Sequence, residues 1–91
     1  MIILRTNSNK EYPIEWIGIA DFDGCLRFEI ADAADRMPEL FAAFSDPTET
    51  ETLTRVFDED ERVFTGFTGF KGMDLKPSGN LVIALMRRVA T

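Results

Sequence analysis

The residue types that most often carry out chemistry are thinly represented in this chain. It has no histidine and one cysteine, Cys25, among 91 residues. The first absence removes the commonest general base and metal ligand. The second rules out a Cys-x-x-Cys pair, a zinc ribbon and a Cys–His dyad. No glycine-rich phosphate loop opens a helix. Carboxylates are plentiful, sixteen in all, so some pair of them must fall close together without catalytic meaning. Asp21-x-Asp23-Gly24 has the start of a calcium loop, but Cys25, Leu26 and Arg27 follow where further oxygen ligands would be needed. A hairpin turn is the simpler reading. Asp58-Glu59-Asp60-Glu61 is a better cation candidate, but solvated charge guarding a strand end is the default reading. Cys25 is read as a small residue at the start of a strand rather than a reactive thiol. The expectation is a protein that is not an enzyme, with no catalytic residue, cofactor or metal ligand to name.

Charge and composition limit the partners. The net charge of −6 opposes phosphate neutralisation, and so makes nucleic acid and anionic membranes poor partners. A single thiol cannot make an internal disulfide, which fits a cytoplasmic location or a virion-like particle assembled there. Neither a signal peptide nor a run of about 20 apolar residues stands out. The length suits a single domain, residues 1–91, with a small core.

Aromatic residues are the most informative feature. Eight of the ten are phenylalanine, with Trp16 and Tyr12 beside them. Phe64-Thr65-Gly66-Phe67-Thr68-Gly69-Phe70 repeats every three residues, whereas a strand alternates every two. Three explanations are open: a bulge at Gly66 or Gly69, a strand covered on both faces, or Phe67 exposed to a partner. The candidate interaction surface is therefore Phe64, Phe67 and Phe70, with Trp16 and Tyr12 as second candidates.

The elements that would position these residues are mostly strands. Ile2–Thr6 is short and β-branched. Lys10–Ala20 alternates, with Tyr12, Ile14 and Trp16 on one face, and Pro13 points to an edge. Asp-Gly at 23–24 signals a hairpin into Cys25–Ala31, whose Leu26, Phe28 and Ile30 point inward while Arg27 and Glu29 point outward. A helix is predicted near 36–45, with Asp35 as its cap and Met37, Leu40, Phe41 and Phe44 as its apolar stripe. Asp46-Pro47 ends it. Strands follow at 50–57, 62–75 and 81–86. The predicted fold is α+β, mainly antiparallel β-sheet or a small barrel-like roll, in the order β-β-β-α-β-β-β.

Thr54-Arg55-Val56-Phe57, then Phe64-Thr65-Gly66-Phe67-Thr68, then a strand after Pro77-Ser78-Gly79-Asn80, resembles small proteins from prophages and mobile elements of Gram-positive bacteria, similar to proteins encoded among phage tail genes. The resemblance spans less than half of the chain. Phe64 and Phe67 stand where such proteins often carry tyrosine, and Gly69 where a bulkier residue is usual. It implies a structural or accessory role in virion assembly and transfers no functional residue. The function expected is a protein–protein interaction module that self-associates or joins a larger complex. The alternatives are a small-ligand or cation-binding domain, with a pocket lined by Phe28, Phe57, Phe67 and Trp16, and an acidic inhibitor of a nucleic-acid-binding protein.

Overall fold

The computed structural model describes residues 1–88. Eight strands form two four-stranded antiparallel sheets: β1 (Ile2–Arg5), β2 (Glu11–Ile14), β3 (Trp16–Ile19), β4 (Leu26–Ile30), β5 (Thr52–Phe57), β6 (Asp60–Thr65), β7 (Gly69–Leu75) and β8 (Leu81–Met86). Sheet A runs β2-β1-β5-β6 and sheet B runs β3-β4-β8-β7. Between β4 and β5 lie a 3-10 turn (Ala34–Arg36) and two helices, α1 (Met37–Phe44) and α2 (Pro47–Thr50). The mainly antiparallel α+β fold is as the sequence predicts, but there are four strands on each side of the helices, not three.

Both differences arise where a predicted strand turns a corner. The 10–20 segment breaks at Glu15, leaving β2 in sheet A and β3 in sheet B. The Glu15 amide donates to the Glu29 carbonyl at 2.8 Å, which fixes that corner against β4. The 62–75 segment breaks likewise, leaving β6 in sheet A and β7 in sheet B. Gly66 turns this second corner at φ +81°, a region in which a side chain is strained. Its amide donates to the Glu51 carbonyl at 3.0 Å, and its carbonyl accepts from the Arg88 amide at 2.9 Å. Each corner is thus tied to a strand of sheet B or its extension, and the two sheets close into a partial roll. The strand order of each sheet is unchanged when β1–β4 are exchanged with β5–β8.

Inward-facing residues of both sheets make one core. Leu4, Tyr12 and Leu53 come from sheet A, and Leu26, Phe28, Ile30, Leu81, Ile83 and Leu85 from sheet B. Helix α1 completes the core with Leu40 and Phe44, both buried. The Phe44 ring packs 5.1 Å from that of Tyr12 and 4.8 Å from that of Phe28, so one side chain joins the helix to both sheets. Phe41, expected on the same stripe, is 51% exposed and meets only the edge of the core, with its ring 5.0 Å from Phe70.

The predicted end of the helix at Asp46-Pro47 is where α1 gives way to α2. Pro47 sits in the first turn of α2, and the Asp46 carboxylate caps it by accepting from the Thr48 amide at 3.0 Å. Asp35 does not cap α1: Arg36 takes that position with no side-chain bond. The 3-10 turn running directly into α1 places Asp35 inside the helical segment rather than ahead of it.

Candidate interaction surface

The five predicted contact residues do not form one exposed surface, although Phe64 and Phe67 meet edge to face with their ring centroids 6.5 Å apart. Phe64 and Phe67 are buried, at 4% and 1% exposure, and Tyr12 is buried at 8%. Phe70 is partly buried against the core. Only Trp16 is largely exposed, at 40%. The three-residue Phe repeat therefore does not mark an exposed strand. The corner puts Phe64 on β6, Phe67 in the connection and Phe70 on β7, so all three turn inward without sharing one strand's pleat. A register shift between Phe70 and Gly72 then supplies the predicted bulge, at Lys71 instead of at a glycine. Arg87 covers the ring of Phe67, its guanidinium carbon 4.7 Å from the centroid.

The predicted aromatic pocket does not form either. Phe28 and Phe67 lie in the core, Phe57 is 44% exposed at the end of sheet A, and Trp16 lies on the outer face of sheet B opposite Glu29. The acidic turn also comes apart. Asp60 pairs with Arg55 at 2.9 Å and Glu61 with Arg5 at 3.8 Å, from opposite faces of β6. Among the described residues, no group of three or more acidic or cysteine side chains is arranged to hold a metal ion.

Two carboxylates organise the outer face of sheet B. Asp23, in the β3–β4 turn, accepts from Arg27 at 2.7 Å and from Lys71 at 2.8 Å. The Cys25 amide also donates to it at 3.0 Å, closing a short side-chain turn. The Arg27 guanidinium first, then the Lys71 ammonium, hold the Asp23 carboxyl far below the usual range. Gly24, at φ +69°, completes the predicted hairpin turn. Cys25 is buried immediately before β4.

Glu29 is the second anchor, and alternation in the sequence conceals it. It points outward as predicted, yet only 5% of it is exposed. Lys76 donates to it at 2.7 Å, Asn80 at 2.7 Å and the Trp16 indole at 2.9 Å. Lys76 and Asn80 come from the β7–β8 turn, so Glu29 on β4 ties β3 to that turn. Lys76 above all, then Asn80, pull its carboxyl down to about 2. Between the two anchors lies a depression of about 350 Å³, floored by Gly72, Val82 and Ala84. Its cations Arg27 and Lys71 are already committed to Asp23.

The free edges of the sheets differ sharply in chemistry. Edge strand β2 carries Glu11 and Pro13, β6 carries Asp60, Glu61 and Arg62, and β7 carries the bulge with Lys71 and Asp74. These are the usual devices that prevent a strand from accepting another. Edge strand β3, Trp16-Ile17-Gly18-Ile19, has none of them. Trp16 and Ile19 are each 40% exposed, and Phe22 in the adjoining turn is 83% exposed. Ile19 and Phe22 were not among the sequence candidates. The signal that could have found Ile19 was the absence of charge from Trp16 to Ala20; Phe22, between Asp21 and Asp23, carried no such signal. No helix among the described residues is long and apolar enough to cross a membrane. No protein-family profile, curated protein or solved structure matches the chain.

Proposed function

We propose that this chain is a non-catalytic protein-interaction module that works by accepting a partner strand along β3, in an accessory role within a phage-like assembly. The observation that carries the reading is the unprotected β3 edge beside three exposed large apolar side chains, Trp16, Ile19 and Phe22. Strand addition uses main-chain hydrogen bonds for affinity and side-chain contacts for selectivity. Both are on offer here: unpaired backbone groups along one side of β3, and apolar surface at each end of it. The rest of sheet B suits a supporting role, since Asp23 and Glu29 fix β3's neighbours through internal ion pairs.

Light scattering coupled to size exclusion tests the reading, first on the protein alone across a range of concentrations and then mixed with the products of neighbouring genes. The expected result is a gain in mass that Ile19→Lys abolishes while the circular dichroism spectrum is unchanged. A complex that survives Ile19→Lys puts the contact elsewhere on the molecule.

A further inference from the structure

We infer that the strand accepted by β3 belongs to a different protein, and that it is an apolar segment carrying a basic residue at each end. The inference rests on the strand-addition reading and adds the chemistry of the occupant. Glu15 and Asp21 bracket the edge, three residues on either side of Gly18. Both are exposed, and neither belongs to an ion pair among the described residues. Every residue between them is uncharged.

A second copy of the chain is the natural competitor for this edge, and the same residues work against it. Two-fold pairing of β3 with β3 is antiparallel and self-complementary. Centred on Gly18, it sets Ile17 against Ile19 and Trp16 against Ala20, which is acceptable. It also sets Glu15 of each copy against Asp21 of the other. Like charges facing each other destabilise a strand pair, and here that happens twice, just beyond the two ends of β3. The net charge of −6 on each copy adds long-range repulsion. Reversing the sign on the incoming strand turns both unfavourable pairs into favourable ones. The matching segment has Lys or Arg at two positions six apart, with five uncharged, largely β-branched residues between them.

Trp16 is the only tryptophan, so its fluorescence reports on this edge. Three seven-residue peptides with one shared Val/Thr core are titrated into the full-length protein up to millimolar concentration. One has Lys at both ends, one Gln and one Glu. The expected result is a Trp16 emission shift with the Lys-ended peptide at about tenfold lower concentration than with the Gln-ended one. That advantage disappears in 0.5 M salt, on the order of the ionic strength at which such pairs are screened. The Glu15→Lys/Asp21→Lys double variant is expected to prefer the Glu-ended peptide. If the Lys- and Gln-ended peptides bind alike, or the double variant keeps the original preference, the inference about charge is wrong and strand addition stands. A wild-type dimer that Ile19→Lys dissociates also overturns the inference in favour of a second copy. If no peptide moves the Trp16 signal, strand addition at β3 falls and the inference falls with it.

Discussion

A buried carboxylate with three donors is a strong anchor only while it is ionised. The Glu29 carboxyl is pulled down to about 2 from its ordinary value of 4.5, with Lys76 the main cause. A depressed carboxylate contributes stability that is complete above its unfolded value and lost as pH falls through the folded one. Unfolding titrations between pH 6 and pH 2, on the order of the carboxylate range, should therefore show stability falling below the unfolded value. Glu29→Gln should flatten that dependence and cost about 2 kcal/mol at neutral pH, since Lys76 loses a charge-assisted partner. Urea unfolding curves at several pH values would check both. The Thr68 hydroxyl presents the opposite case, being buried without a hydrogen-bond partner. Thr68→Val removes an unsatisfied group at nearly constant shape, so it should leave stability unchanged or raise it by about 1 kcal/mol. Phe67→Ser should behave as a core truncation and cost about 3–5 kcal/mol in urea unfolding, because the ring is only 1% exposed.

At the scale of elements, alternation identified the faces of β4 and its inward set Leu26, Phe28 and Ile30, all buried. The helix was legible from Leu40 and Phe44 at four-residue spacing, both of which reach the core. The corners were not legible. A strand that changes sheets keeps its apolar alternation, so Tyr12, Ile14 and Trp16 read as one face although a break at Glu15 separates the third from the others. The second corner left a trace in the three-residue Phe repeat, but that trace fits an exposed stripe as well as a bend. The site was legible only at Trp16, because edge exposure depends on which strands pair, and pairing is a long-range property. Gly66 carries the second corner at φ +81°. Gly66→Ala meets no close atom, the nearest being the Arg87 side chain at 4.0 Å. It should still cost about 1–2 kcal/mol in thermal or urea unfolding from backbone strain alone.

At the scale of the whole molecule, eight strands serve two neighbouring purposes. The inner faces bury a small, phenylalanine-rich core, and the outer face of sheet B is closed by its own ion pairs. Among the four sheet edges, three carry charge, proline or a bulge and one does not, and the proposed strand addition would act at that one. On the proposed reading, the net charge of −6 would oppose association of like copies and leave the open edge to a different partner.

The invariance of strand order under exchange of β1–β4 with β5–β8 has a further consequence. Residues 1–30 and 52–88 meet along the two central pairs, β1 with β5 and β4 with β8, and the helical segment between them is their one covalent link. Neither half has a complete sheet, because each contributes two strands to each layer. A chain severed between Ser45 and Asp46 should thus yield two fragments that are unfolded apart and reassemble when mixed, recovering the β-sheet circular dichroism of the intact protein. The same geometry makes reciprocal exchange of halves between two chains a route to an intertwined dimer on concentrated refolding, held by the native strand pairs and requiring no new interface.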